Sequence, residues 1–272
     1  MKYTTVLTIA GSDCSGGAGI QADIKTISAL GCYAASAITA ITVQDTCGVK
    51  EVFPLPAEYV GAQINTVIED IMPDVVKIGM VTDKNIITAV AASLSKHDIP
   101  IVFDPVLVSS SGHPLVSPEA LGILTERLIP ICTLLTPNIP EAETLSGHAI
   151  RNIEDMVAAG REILKSGCRA ILIKGGHLAS RDMTDVLVTG PLPRNTYYFH
   201  ADKIDSRNTH GTGCTLSSAI ASHLARGENM HDAVEKGKQF LTNALASGKD
   251  VAIGKGHGPL NHFFAPEKLI IK

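Results

Sequence analysis

The 272-residue sequence predicts an α/β fold: a mainly parallel central sheet with helices on both faces and a small antiparallel edge. Three observations carry that expectation. Apolar runs of strand length alternate with segments of helical apolar spacing, the pattern of βαβ units. Five of those runs end in a polar residue followed by a loop. A glycine-rich turn, Asn208-Thr209-His210-Gly211-Thr212-Gly213-Cys214-Thr215, follows an extended polar segment and opens a helix of small apolar residues.

Taken in order, residues 6–10 read as a buried strand and 19–30 as a helix that stops at Gly31. Residues 35–43 are β-rich, and Glu51-Val52-Phe53 suits a short edge strand. Helices are expected over 56–71, 84–96, 118–128, 140–145 and 153–165, with strands at 74–78, 99–103, 132–135 and 170–173 between them. Residues 184–188 and 196–199 suit antiparallel strands about a turn at Gly190-Pro191. Helices at 215–224 and 231–246 complete the pattern. No linker, repeat or low-complexity tract intervenes, so one domain over 1–272 is expected.

The polar strand ends are Ser12-Asp13, Gln44-Asp45, Asp104, Asn138 and Lys174. In a parallel sheet they share the carboxyl edge, where open α/β folds bind ligands. One such residue is an ordinary cap or turn former; five of mixed charge on one edge point to a site. In the turn, Gly211 and Gly213 remove two Cβ atoms, so backbone N–H groups can face one point. The helix N-terminus there carries positive partial charge, which suits a phosphoryl group in transfer. Cys214 lies in the first turn, where a thiol pKa is expected to fall.

Composition narrows the classes of partner. Hydrophobic residues make up 45% and charged residues 18%, the profile of a soluble globular protein. A net charge of -4 without a long basic or acidic run argues against nucleic acid or an anionic membrane. No apolar run approaches the length of a bilayer span. The N-terminus, Met1-Lys2-Tyr3-Thr4-Thr5, leads into a strand, so no signal peptide is expected. The six cysteines, at 14, 32, 47, 132, 168 and 214, are scattered without a CxxC pair; free thiols in a reducing cytoplasm are expected.

The stretch Ala10-Gly11-Ser12-Asp13-Cys14-Ser15-Gly16-Gly17-Ala18-Gly19-Ile20-Gln21-Ala22-Asp23-Ile24-Lys25-Thr26 resembles the N-terminal signature of the hydroxymethylpyrimidine and hydroxymethylpyrimidine-phosphate kinases of thiamine synthesis, members of the ribokinase-like superfamily. Thr39-Ala40-Ile41-Thr42-Val43-Gln44-Asp45-Thr46, Lys77-Ile78-Gly79-Met80, Thr136-Pro137-Asn138-Ile139-Pro140-Glu141-Ala142, Lys174-Gly175-Gly176-His177, the 208–215 turn and Gly254-Lys255-Gly256-His257-Gly258-Pro259 agree, in order, over nearly the whole chain. Cys14 departs from the pattern, which usually has proline there.

The resemblance implies an ATP-dependent kinase that phosphorylates the hydroxymethyl group of a small aminopyrimidine; many members add a second phosphate. It implies that the N–H groups of Gly211, Thr212, Gly213 and Cys214 cradle the transferring group, and that Cys214, where most of the superfamily has aspartate, is the base or orients the hydroxyl. A small buried core cysteine is the plain alternative. On the substrate side, Gln44 would hydrogen-bond the aminopyrimidine and Asp23 would reach its hydroxymethyl group or an ordered water. Gly11 and Ala18 would let the backbone approach the ring, with Met80 and Val106 packed on it. On the nucleotide side, Lys174 would neutralise phosphate, and Asn138, Thr209 and Thr184 would contact nucleotide. Glu141 and Asp104 would hold Mg2+, chiefly through water. Residues 251–259 would flank the adenine or close its site. Segments 106–113 and 187–199 are candidate covers over the reaction. His210, His177 and His257 have no zinc-ligand spacing. The superfamily commonly pairs, so a homodimer is implied, with 57–71 as a candidate interface. Two other readings stay open: a pyridoxal or pyridoxine kinase on the same scaffold, and a non-catalytic pyrimidine-binding protein.

Overall fold

The computed structural model describes residues 1–107, 116–176, 182–190 and 195–272. Among them, nine strands form one sheet in the order β3-β2-β1-β4-β5-β6-β7-β8-β9. Strands β1 (Thr5–Asp13), β2 (Tyr33–Asp45), β4 (Val75–Ile78), β5 (Ile101–Phe103), β6 (Leu134–Leu135) and β7 (Ala170–Ile173) are mutually parallel. β3 (Gly48–Pro54) is the expected edge strand, longer than 51–53, and it pairs antiparallel with β2. β8 (Asp182–Thr189) and β9 (Thr196–Asp202) pair antiparallel at the other end, also as expected.

Alternation along β1 shows how the layers form. Val6 packs on one side with Ile27, Val102, Leu172, Ile220 and Val234, beneath helices α1 (Gly19–Ala29), α7 (Thr212–Ala225) and α8 (Met230–Gly248). Leu7 and Ile9 pack on the other with Ile64, Ile87, Phe103 and Ile173. That side is covered by α2 (Ala57–Ile71), α3 (Lys84–Leu94), α4 (Pro118–Ile123), α5 (Ile139–Ser146) and α6 (Ile153–Ile163). Strands buried on both faces are continuous apolar runs, which is why they stand out in the sequence.

One expected helix differs. Residues 118–128 do not form a single α-helix: α4 passes into a π turn at Leu124–Leu128 and a 3-10 turn at Ile129–Ile131. Pro130 lacks the N–H that an α-helix would direct back at residue 126, so regular geometry ends there. Among the described residues, no helix is long and apolar enough to cross a membrane.

Candidate active site

The carboxyl ends of β1, β2, β5, β6 and β7 lie along one rim, and Asn138 bridges to Lys174 as a continuation of the parallel register. The 208–215 turn meets that rim. Gly211 is the N-cap of α7 at φ 84°, a left-handed conformation that favours glycine, and a Cβ there would run into the Gly17 carbonyl. Thr212, Gly213 and Cys214 form the first helical turn, whose N–H groups have no acceptor four residues back within the helix. A Cβ on Gly213 would stand 2.9 Å from Asp104 Oδ2 and 3.5 Å from Lys174 Nζ. The turn therefore presses its backbone against the charged rim.

That rim is a chain of paired charges. Lys174 Nζ donates to Asp104 Oδ1 at 2.6 Å, and Thr136 Oγ1 donates to the same oxygen at 3.1 Å. Burial alone would lower the Lys174 pKa, but Asp104 and Glu141 raise it, so the ammonium stays charged. Glu141 is buried at the start of α5 in a reciprocal cap: its Oε2 accepts from Asn138 N at 2.8 Å, and Asn138 Oδ1 accepts from Glu141 N at 3.0 Å. Burial pushes its pKa up to about 7 against the pull of Lys174, and Asp104 adds to the rise. A buried carboxylate in that condition, with a second one nearby, is a donor set for a hard divalent cation. Asn138 is thus a cap for Glu141, and its side-chain oxygen is engaged there.

Beneath Cys214 sits a group the sequence reading did not assign. Lys77, central in β4, is wholly buried, and its Nζ lies 2.8 Å from both oxygens of Asp23. Asp23 also accepts from Thr8 Oγ1 at 2.6 Å and from Ser218 Oγ at 2.8 Å. Ser218 is one turn beyond Cys214, so the pair lies under the same face of α7. Lys77 is marked in the sequence as a lysine interrupting the apolar run Val75-Val76-Lys77-Ile78 and as the first residue of the family-like stretch Lys77-Ile78-Gly79-Met80, but neither mark gives it a role.

Two expectations are corrected here. The expectation that Asp23 reaches the hydroxymethyl group or an ordered water does not fit its burial: the carboxylate is 0% exposed and committed to Lys77, Thr8 and Ser218. The Cys214 thiol pKa does not fall. Burial pushes it up to about 11; Lys77 and the Gly19 N–H oppose this, while Asp23 and Asp104 add to it. The helix N-terminus is outweighed chiefly because the thiolate would have to form largely out of contact with water, with the Asp23 and Asp104 carboxylates adding to that cost.

Of the expected substrate-side residues, Gly11 and Gln44 lie at the carboxyl ends of β1 and β2, Ala18 in the loop after β1, and Met80 and Val106 just beyond β4 and β5. Gln44 is half-buried beside the turn, its Nε2 3.0 Å from His210 Nε2. Met80 follows β4 and passes so close to Gly11 that a Cβ at Gly11 would strike its Cε. Ala18 N donates to Asp13 Oδ2 at 2.8 Å, closing the first loop. Val106 sits two residues beyond Asp104, to whose carbonyl its N–H donates.

The Thr184 backbone packs against Gly175, next to Lys174, while its side chain is turned inward. It is 3% exposed, and its hydroxyl lies 2.9 Å from His200 Nδ1 on β9. Thr209 is exposed at the start of the turn. The segment 251–259 joins the end of β2 to the turn: Thr46 Oγ1 accepts from Lys255 N and Gly256 N, and Asn208 Nδ2 donates to the Gly248 and Val251 carbonyls. His210 N also donates to the Gly258 carbonyl, so the segment lies along residues 207–210 as well as the end of β2. Residues 108–113 of one candidate cover, 191–194 of the other, and His177 lie outside the described residues.

A mixed sheet of this order, with an anion turn opening a helix against a charged carboxyl rim, is the architecture of ribokinase-like small-molecule kinases. Sequence comparison narrows the class. The family described as phosphomethylpyrimidine kinase matches residues 13–261, and the chain belongs to that family. A Salmonella typhimurium protein named hydroxymethylpyrimidine/phosphomethylpyrimidine kinase is 45% identical over 268 residues, 97% of this chain and 99% of its own length. The crystal structure of phosphomethylpyrimidine kinase from Clostridium difficile 630 is 46% identical, with a TM-score of 0.78 over 89% of this chain and 99% of that one. Pyridoxal kinase from Staphylococcus aureus, solved with AMP-PCP and pyridoxal, has a TM-score of 0.86 over 97% of this chain and 94% of its own, at 33% identity.

Proposed function

We propose that this cleft transfers the terminal phosphoryl group of ATP to the hydroxymethyl group of 4-amino-5-hydroxymethyl-2-methylpyrimidine, and then to the phosphate of the product, giving the pyrophosphate for thiamine phosphate synthesis. The observation that carries the reading is the approach of the Asp104–Lys174 pair to the Gly213 backbone, with Gln44 beside the same turn. Charge for the phosphates and an amide for the ring thus flank Cys214.

Phosphoryl transfer needs alignment and charge stabilisation more than covalent help. The N–H groups of Gly211, Thr212, Gly213 and Cys214 cradle the transferring group, and Lys174 neutralises it. Asp104 aims the Lys174 ammonium at the turn. Glu141 and Asp104 fit a hydrated Mg2+, which would offset phosphate charge when bound. Thr209, exposed at the start of the turn, touches a nucleotide phosphate. Cys214, neutral at physiological pH, orients the substrate hydroxyl by weak hydrogen bonding and does not begin as a thiolate base. Gln44 offers a donor and an acceptor side by side, the complement of a ring nitrogen next to an exocyclic amine. Gly11, Ala18, Met80 and Val106 enclose the flat ring.

The same proposal includes one domain spanning the chain, a cytoplasmic setting and a homodimer. The exposed apolar side chains of Ile41, Val43, Phe53 and Tyr59, on β2, β3 and α2, supply the face for a second copy. A vitamin B6 kinase is the second reading, favoured by the shape likeness to pyridoxal kinase; the higher identity to the pyrimidine kinases weighs against it. The intact turn and its charges weigh against a non-catalytic binder.

A coupled ADP-release assay separates the readings. The pyrimidine and its monophosphate should turn over with kcat/KM well above pyridoxal and pyridoxine. Preference for the B6 vitamers would transfer the chain to the second reading, and no turnover of any substrate would leave a binding protein.

A further inference from the structure

His210 precedes the anion turn, and its Nε2 sits between two side chains from different strands. It is 2.9 Å from Asp13 Oδ2 and 3.0 Å from Gln44 Nε2. Asp13 is an all-acceptor group in a nest of donors. Its Oδ1 takes the N–H and hydroxyl of Ser15, and its Oδ2 takes the N–H groups of Gly17 and Ala18. Burial alone would raise its pKa, but these donors and His210 together hold the carboxyl well below the usual range. An ionised oxygen at 2.9 Å requires a proton on His210 Nε2, because a bare lone pair there would face negative charge.

That proton decides how Gln44 is turned. With an N–H on the imidazole, an amide NH2 at 3.0 Å sets donor against donor. Rotating the amide by a half turn puts its oxygen there instead, where it shares the single Nε2–H with Asp13 Oδ2 as a second acceptor. The NH2 then lies at the position 3.3 Å from Thr42 Oγ1. Thr42 donates its own proton to the Ser12 carbonyl at 2.9 Å, so its oxygen is ready to accept. Every donor then meets an acceptor, and the opposite orientation leaves two clashes. The amide's outward edge is fixed as well, with the acceptor on the His210 side and the donor on the Thr42 side.

We propose that His210, oriented by Asp13, is a positioning residue that locks the Gln44 amide in one orientation and so sets the order in which the site meets a ring's amine and nitrogen. The site selects an aminopyrimidine by that order, and a ring with a different donor and acceptor sequence meets a mismatched edge. The proposal rests on Gln44 as the ring-binding group. It adds that recognition depends on a residue with no need to touch the ring.

The test measures kcat and KM for the hydroxymethylpyrimidine and for pyridoxine in wild type, Q44L, H210L, H210Q and the H210L/Q44L pair. Hydroxymethylpyrimidine discrimination over pyridoxine should fall roughly tenfold or more in H210L, mainly through KM, with the KM for ATP unmoved. H210Q, which restores an N–H near the Nε2 position, should recover most of it. On the Q44L background H210L should change discrimination no further. If Q44L leaves discrimination intact, the reading of Gln44 fails and the proposal falls with it. If Q44L lowers discrimination while H210L does not, or if the two effects add in full, His210 does not act through Gln44. Should H210L not fold, H210N, whose shorter amide leaves Gln44 without its donor, takes its place with the same expected result.

Discussion

Lys77 Nζ lies 2.8 Å from both carboxylate oxygens of Asp23, and neither side chain has any exposed surface. This pair ties β4 to α1, and through Ser218 to α7, directly behind the turn that carries Cys214. Burial opposes the charge on Lys77, but Asp23, with Asp104 adding to it, more than compensates, so the ammonium is retained. It is a fixed positive charge set into the floor of the cleft.

Lys77→Met should strand the Asp23 carboxylate and destabilise the fold by about 3–5 kcal/mol, the range for breaking one side of a buried pair. Adding Asp23→Asn should recover much of that loss, since the amide still meets Thr8 and Ser218. Urea denaturation measures both; equal stability of Lys77→Met and wild type would mean that the pair is not the charge lock described.

Gly213→Ala should reduce kcat by roughly 10–100-fold with little change in Tm, because a methyl group 2.9 Å from Asp104 Oδ2 displaces the turn or the carboxylate by a fraction of an ångström. Gly211→Ala should instead lose stability, as it places a side chain at φ 84° and against the Gly17 carbonyl. Steady-state kinetics beside a melting curve distinguish the two. A reversed pattern would put the functional contact at the wrong glycine.

Cys214 is expected to react slowly with iodoacetamide near pH 7.5, more than tenfold below an ordinary free thiol, and faster as pH climbs toward 11. Cys214→Ala should lower turnover on the order of 10²-fold, whereas Cys214→Ser, which keeps a hydrogen-bonding group, should stay within about tenfold of wild type. Mass spectrometry of the alkylated peptide reads the first effect. Rapid labelling at neutral pH would contradict the thiol assignment.

Glu141 gives a pH signature. Its pKa rises from 4.5 unfolded to about 7 folded, chiefly through burial. Between those values the folded protein binds a proton that the unfolded chain has released. The contribution of this group to stability is therefore largest at low pH and is lost as pH climbs through about 7. Glu141→Gln keeps the helix cap and removes the titration, so it should match wild type near pH 5 and exceed it near pH 8 by on the order of 1–3 kcal/mol. The same variant should need more Mg2+ for half-maximal rate. Parallel stability curves for both proteins from pH 5 to 8 would show that Glu141 is already ionised in the fold.

The sheet was legible because strands covered on both faces cannot hide their apolar character, and because each useful strand end changes abruptly to a polar residue, as at Asp104 and Lys174. The turn was legible from its two glycines. What escaped the sequence is contact between distant segments. Asp23 carries no local mark of its partner, which is 54 residues away. Cys214 sits at a helix start, a local feature that lowers a thiol pKa; what raises it is burial, on a helix that packs against α1, β4 and β5. His210 has no zinc-ligand spacing, and its meeting with Asp13 crosses 197 positions. The π turn at Leu124–Leu128 follows from a proline whose effect on the preceding helix periodicity does not reveal.

Mass analysis of the pyrimidine after incubation with ATP, Mg2+ and the purified chain tests the central claim most directly. Wild type should convert 4-amino-5-hydroxymethyl-2-methylpyrimidine to a monophosphate and then to a pyrophosphate, and Gly213→Ala should slow both steps. Unmodified pyrimidine recovered from wild type, under conditions where ATP is bound, would contradict it.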